Sequence, residues 1–273
     1  MGHWLRRLAV FAVIAGLAGA GWIAVGLPPR ANVRSLAKER PGKTALMRQR
    51  EQEARQEDRK VRVSHQWVPL SRVSTHLLHA VLASEDQRFF GHDGLDWTAL
   101  RESVEDNVER GRLWRGGSTL TQQLAKNLFF GTSRTVVRKA RELVVTRWIE
   151  ADLTKVRILT LYVNVIEWGD GIYGCEGAAL HWYGKRASFL TMEEAAGLAA
   201  MIPNPRRINP KANPRWFERA RGRVLGLMKR SGYIGGDVAG LGAAPPAEAK
   251  PPPDVGSMPA VEPEAEDGNE PSG

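Results

Sequence analysis

The residues able to do chemistry are concentrated in the middle of the chain. Glu85 and Asp86 follow an apolar stretch (Leu77, Leu78, Val81, Leu82) and precede Phe89 and Phe90. A carboxylate at the edge of an apolar wall is pushed toward its neutral form, the usual route to general acid–base work near neutral pH. The run Gly116–Asn127 then reads Gly-Gly-Ser-Thr-Leu-Thr-Gln-Gln-Leu-Ala-Lys-Asn. Its glycines permit a tight turn and a close approach of backbone to ligand. Ser118 or Thr119 can cap the helix that follows, with Gln122 placed as in a capping box. Leu120, Leu124 and Leu128 face a core at helical spacing, and Gln122, Gln123, Lys126 and Asn127 fall on the other side. A glycine turn, a free helix N-terminus and a lysine one turn in form a candidate site for a phosphate-like anion. The spacing is not that of a Walker loop, and the same residues also suit an ordinary capped amphipathic helix.

Further along, Arg134, Arg138 and Glu142 recur every four residues, and Arg141 lies three beyond Arg138, so these groups share one helix face. Alone, that face is a solvated stripe whose Arg138–Glu142 pair carries little energy. Joined to Lys126, it offers four cations converging where negative charge develops, which is what a pyrophosphate leaving group requires. His92, in a loop flanked by Gly91 and Gly94, reads as a structural hydrogen-bonder. No metal-ligand spacing of the H-E-x-x-H kind occurs. The single cysteine, Cys175, excludes an internal disulfide and any multi-cysteine metal site.

These groups need helices to position them. One helix ends just before Glu85. Another carries an apolar face of Val136, Val137, Ala140, Leu143, Val144 and Trp148, and a third one of Ile158, Leu159, Tyr162 and Ile166. Ala195 to Ile202 is a packed helix stopped at Pro203, and Arg219–Met228 is the last. No repeated alternation argues for a large sheet, so the fold class is mainly α. The folded unit spans residues 61–235, preceded by a charged, solvated stalk (28–60) and followed by a Pro/Ala/Glu-rich tail (236–273) that reads as disordered.

Residues 8–27 are uncharged and apolar, long enough to cross a bilayer after a short cytoplasmic N-terminus (1–7), with Trp4 and Trp22 near the ends. Ala18-Gly19-Ala20 resembles a signal-peptide cleavage site, but the apolar run continues past it to Leu27, which favours a retained anchor. Arg6 and Arg7 precede the span while Arg30, Arg34, Lys38, Arg40 and Lys43 follow it, so a positive-inside count puts the main domain in the cytoplasm; that count is weak for a large domain. The net charge of +9 is uneven: residues 241–273 carry seven acidic groups and one lysine, which leaves +15 on the rest. With an anchor present, that charge points to anionic lipid or phosphorylated substrate rather than nucleic acid.

Taken together, Glu85-Asp86-x-x-Phe89-x-x-His92-x-Gly94, the Gly116–Asn127 run, and Arg138-Lys139-x-x-Glu142 resemble the signature series of the peptidoglycan glycosyltransferases. Lys155-x-x-Ile158-Leu159-x-x-Tyr162-x-Asn164, with Gly169, Gly174, Glu176 and Tyr183-Gly184-Lys185, resembles the fourth block, and Leu190-Thr191-x-x-Glu194-Ala195-Ala196 with Pro203 and Asn209-Pro210 the fifth. The likeness spans residues 67–234 and is to the monofunctional kind, because nothing foldable follows Ile234 and the lone S-x-x-K, Ser35–Lys38, lacks partner motifs.

The resemblance implies a lysozyme-like helical lobe, a small membrane-touching lobe and one N-terminal transmembrane helix. It implies an inner-membrane enzyme, its catalytic domain extracytoplasmic, that polymerises lipid II into β-1,4 glycan strands with inversion and release of undecaprenyl pyrophosphate, without transpeptidase activity. Glu85 would be the general base and Glu142 a second catalytic carboxylate, orienting the cations or placing a divalent ion. Lys126, Arg134, Arg138 and Arg141 would hold the donor pyrophosphate, and Ser118, Gln122, Gln123 and Asn127 would line the donor site. No cofactor is obligatory, and magnesium or manganese is optional. The partners implied are lipid II, the growing lipid-linked glycan chain and the membrane, with other cell-wall synthesis or division proteins left open and no nucleic acid. Arg110, Arg112, Leu113, Trp114 and Arg115 form a loop expected either to rest on the membrane or to stay in solvent. A glycan-cleaving hydrolase is the nearest rival, though it has no pyrophosphate to hold. A silent scaffold is the other, and it would not need Glu85, Lys126 and Glu142.

Overall fold

A computed structural model of the chain describes residues 3–60, 63–109, 117–133 and 135–234, with the side chains of 104–109 left aside. Arg134, the loop at 110–115 and the tail beyond 234 lie outside the described residues. The helices are α1 (His3–Val25), α2 (Arg30–Ser35), α3 (Ala45–Gln56), α4 (Thr75–Glu85), α5 (Trp97–Glu109), α6 (Leu120–Ala125), α7 (Val136–Asp152), α8 (Lys155–Val165), α9 (Cys175–Tyr183), α10 (Met192–Met201) and α11 (Pro214–Arg230). The chain is mainly helical, as its patterning predicts.

Local chemistry explains most helix starts. Thr44, Thr119, Thr135, Thr154 and Thr191 each precede a helix and accept a hydrogen bond from an amide in its first turn. Thr191 is completed to a capping box by Glu194, and Thr119 by Gln122. Asn213 caps α11, whose first residue is Pro214. The buried faces of α4 (Leu77, Leu78, Val81, Leu82), α10 (Ala195 to Met201) and α11 (Phe217, Val224, Met228) pack together, and α6, α7 and α8 pack beside them.

Three short strands, β1 (Ser64–His65), β2 (Glu167–Gly169) and β3 (Ile172–Tyr173), form a sheet in the order β1-β3-β2. β1 runs parallel to β3, with Ser64 opposite Ile172, and β2 pairs antiparallel with β3. Asn164, at the end of α8, fastens this region: its side chain accepts from Val68 N–H and donates to Val68 O, each at 2.9 Å.

Two expectations are corrected. Residues 28–60 are not a solvated stalk, because α2 and α3 lie on the helical body and bury Val33, Leu36, Leu46, Met47 and Ala54. The polar residues of α3 also have partners in the body: Arg50 is paired with Glu167 at 2.9 Å, with side chains 18% and 4% exposed. Sparse apolar residues among many charges hid this face. Likewise, α7 does not bury the stripe headed by Val136, which is 87% exposed; it buries Glu142, Val145, Thr146 and Ile149. Its apolar side groups instead extend around the helix, where Trp148 receives Arg30 over its ring.

The first helix is 23 residues long, runs from His3 rather than Leu8, ends at Val25 and buries none of its side chains. Its length and composition are those of a membrane span.

Candidate active site

Glu85 is the last residue of α4, where the apolar face of that helix meets a cleft of about 550 Å³. Gln87, Glu102, Ser118, Arg230 and Tyr233 are among the other walls. Burial raises the Glu85 carboxyl above its ordinary value, and Asp86 adds to the rise, while a Gln123 hydrogen bond and the Lys126 charge oppose it. Gln123 Nε2 donates to Glu85 Oε2 at 2.8 Å, and Tyr162 donates from its hydroxyl to Gln123 Oε1 at 3.0 Å. Burial, with Glu85 and Asp86 nearby, holds the Tyr162 phenol well above its usual value, so it stays protonated and fixes the orientation of the amide.

Asp86 has a different task. Its Oδ2 accepts from Leu120 N–H, the first amide of α6, at 2.9 Å, and its Oδ1 is 2.9 Å from His92 Nε2. His92 Nδ1 accepts from Gly94 N–H, so Nε2 carries the proton given to Asp86. His92 is thus the structural hydrogen-bonder its sequence context suggests. Asp86, His92 and Asp96 bring ligand atoms within 4.8 Å of one another. Asp96, however, accepts from Arg88 and from Ala99 N–H, so all three are occupied by protein donors and acceptors.

Of the two glycines, Gly117 is described, and it takes φ +84°, a region that disfavours a side chain. The helix start beyond it is not free, which corrects the expected anion site. Leu120 N–H is taken by Asp86, and Gln122 N–H by Thr119 Oγ1. Gln122 also closes the capping box by accepting from Thr119 N–H, so its buried amide is committed to the fold. Asn127 is buried too, rather than displayed on a polar face.

Positive charge gathers one turn later. Residues 126–130 form a π-turn closed by Gly131 N–H to Lys126 O at 2.9 Å, a geometry frequent at functional sites. Gln49 of α3 holds its end, accepting from Thr132 N–H at 2.8 Å; a Cβ on Gly131 (φ +71°) would stand 2.3 Å from Gln49 Oε1. Burial lowers the Lys126 ammonium below its ordinary value, Arg138 and Lys139 lower it further, and Glu142 and Glu85 pull the other way. Among the described residues Lys126 Nζ has no hydrogen-bond or ion-pair partner. Arg138 and Lys139 both pair with Glu142, which is 3% exposed, and Lys139 also donates to Ser118 Oγ at 3.2 Å. Arg138 Nε is buried without a partner.

The structure therefore brings together Glu85, Gln123, Lys126, Arg138, Glu142 and, through Lys139, Ser118. It places Arg141 elsewhere, on the end of α1, where it donates to the carbonyls of Trp22 and Ile23. Arg134 lies outside the described residues. Both oxygens of Glu142 are held by cations, which suits a carboxylate that orients those cations. Sequence reading gave no role to Lys139, Tyr162 or Gln49. The first two stood inside quoted motifs, and Gln49 had no signal beyond its glutamine-rich surroundings.

A family profile described as transglycosylase matches residues 51–229 and so begins inside α3, in keeping with the packing of that helix on the body. A protein of Herminiimonas arsenicoxydans named biosynthetic peptidoglycan transglycosylase is 46% identical over 166 residues, 61% of this chain and 72% of that one. One of the same name from Azoarcus sp. (strain BH72) is 43% identical over 227 residues, 81% of this chain and 95% of its own. Another, from Bordetella pertussis, is 51% identical over 170 residues, 61% and 70% of the two chains. With its glutamate, its buried cations and this match in hand, the chain belongs to the transglycosylase family.

Proposed function

We propose that this transglycosylase builds peptidoglycan by polymerising lipid II, with the growing lipid-linked chain as donor and a second lipid II as acceptor. Glu85 takes the proton from the acceptor's 4-hydroxyl as that oxygen attacks the donor's anomeric carbon. The new bond is β-1,4, formed with inversion, and the bond to undecaprenyl pyrophosphate breaks with its electron pair leaving on the phosphate. Lys126, Arg138 and Lys139 receive that charge, Glu142 holds the latter two in place, and Ser118 and Gln123 stand at the border between cations and cleft. Arg134 is a further candidate for the same anion.

One observation carries the reading: beside the desolvated Glu85 stand the Lys126 ammonium, held by no protein acceptor among the described residues, and Arg138 Nε, a buried donor without a partner. Buried donors without partners are rare and costly, so an anion belongs there. A pyrophosphate whose charge is neutralised departs without a proton, so one base and several cations suffice. A hydrolase would need a second proton donor for its sugar leaving group. The cleft opens on Glu85 and Ser118, whereas Lys126 and Arg138 are not among its walls. The base thus stands between a space for an acceptor sugar and a group of cations for a donor pyrophosphate.

An apolar first helix and a lipid-linked substrate together support a single-pass anchor in the cytoplasmic membrane with residues 28–273 outside. The acceptor end is a sugar hydroxyl, and the reaction proposed forms no peptide cross-link. Incubation of the purified full-length protein with lipid II tests the reading. Lengthening glycan strands with released undecaprenyl pyrophosphate support it; cleavage of finished strands without polymerisation would replace it with the hydrolase.

A further inference from the structure

Arg141 stands next to Glu142 on α7, yet its guanidinium serves the membrane helix. Its Nε donates to Ile23 O at 3.1 Å and a terminal nitrogen donates to Trp22 O at 2.5 Å. Those carbonyls belong to the last turn of α1, where a helix runs short of its own amide donors; Ile23 O also accepts from Gly26 N–H, at 3.3 Å. A cation there also meets the negative end of the helix dipole. The last turn of α1 contains no basic residue, so α7 supplies the charge from outside. At the edge of a bilayer this matters more than in water, because hydrocarbon offers no donor to an orphan carbonyl.

A second fastening lies farther along α7. Arg30, just beyond the link that follows α1, pairs with Asp152 at 3.1 Å and lies 6.0 Å above the Trp148 ring. Arg34 reaches the same carboxylate at 3.5 Å. The link between α1 and α2 is thus gripped on both sides by one helix. Gly26 marks the closest approach: a Cβ there would stand 2.0 Å from Arg141 Cζ.

We propose that Arg141 is a positioning residue that fastens the membrane helix to α7 and so sets the height at which the catalytic groups meet a lipid-linked substrate. The proposal rests on the lipid II reading above. Arg138, Lys139 and Glu142 ride on the same helix, so any slip of α7 against α1 moves the cations relative to the bilayer. The reacting bond hangs from a lipid at fixed depth. A wrong height therefore impairs capture of the substrate, not proton transfer.

Gly26→Ala in the full-length protein, reconstituted in bilayers, is the selective test. The three atoms nearest to the added methyl all belong to the flexible end of Arg141, so it displaces the guanidinium, and neither residue is among the cleft walls. The expected result is a KM for lipid II raised about tenfold at nearly constant kcat, the scale of losing charged hydrogen bonds. Hydrogen exchange at the amides of residues 23–27 should quicken by a similar factor. Arg141→Met should quicken exchange at the same amides, and adding Gly26→Ala to it should worsen nothing, because both changes break one contact. Parent-like KM and exchange in Gly26→Ala would overturn the proposal. So would a silent Gly26→Ala beside an Arg141→Met that loses kcat without faster exchange, since that pattern puts Arg141 on the pyrophosphate. A parent protein that fails to polymerise lipid II would instead refute the function, and exchange would still decide whether the clamp exists.

Discussion

Gln123 donates to Glu85 across 2.8 Å, and that single hydrogen bond joins the end of α4 to the helix that leads into Lys126. It favours the charged carboxylate, against the burial that disfavours it. The balance leaves Glu85 above its ordinary value, as suits a base working near neutral pH.

The acid limb of the pH–rate profile should therefore lie above the ordinary carboxylate range. Gln123→Leu removes the bond that stabilises the charge, so the limb should move to higher pH. Tyr162→Phe should move it the same way by a smaller amount, because it only frees the amide to turn. The pH dependence of kcat/KM for the three proteins checks both shifts.

The same burial has a consequence for stability. The folded-state pKa of Glu85 is raised above the unfolded value, so the fold is favoured most below the unfolded pKa and loses stability as pH rises through the folded one. Glu85→Gln has no charge to desolvate. Its melting temperature should approach that of the parent in acid and exceed it at neutral pH. A variant less stable than the parent at neutral pH would count against the desolvated base.

Lys126 and Lys139 should differ in degree. Lys126→Met removes the desolvated cation that no protein acceptor among the described residues holds, and a loss of about 10²- to 10³-fold in kcat is expected, the scale of removing one preorganised donor to a developing anion. Lys139, 39% exposed and already shared with Ser118 and Glu142, should cost less. Burial lowers the Lys126 ammonium, so the alkaline limb of the rate profile should begin below the ordinary lysine range. Steady-state kinetics of both variants across pH measures these points.

Arg50→Met tests the docking of α3. It leaves Glu167 buried without its hydrogen-bonded partner, and breaking such a pair costs about 3 kcal/mol. Burial already holds the Glu167 carboxyl above its ordinary value in spite of Arg50, so protonation relieves the loss. The penalty, read from denaturant unfolding, should be largest near neutral pH and shrink in acid.

Much of this was legible in the sequence because the signals are local. The Thr119 cap, the end of α4 at Glu85 and the turn at Gly117 each depend on a few neighbouring residues, and the motif series fixes their order. What escaped depends on partners far along the chain. Asp86 closes the start of α6 across 34 positions, which turns an apparent anion site into a satisfied helix end. Arg141 has the spacing to join Arg138, but the end of α1, 118 positions away, claims it. Residues 28–60 look solvated because few apolar side chains interrupt their charges, yet Leu46 and Met47 are enough to seat α3 when Gln49 and Arg50 find polar partners in the body.

The central claim is that Glu85 takes the acceptor's proton while buried cations hold the departing pyrophosphate. The rate of lipid II polymerisation by Glu85→Gln, measured beside the parent with the fold verified by melting, addresses it most directly. The account predicts a loss of about 10²- to 10⁴-fold, the worth of a positioned general base, with binding of lipid II retained. Polymerisation by Glu85→Gln at the parent rate would contradict it.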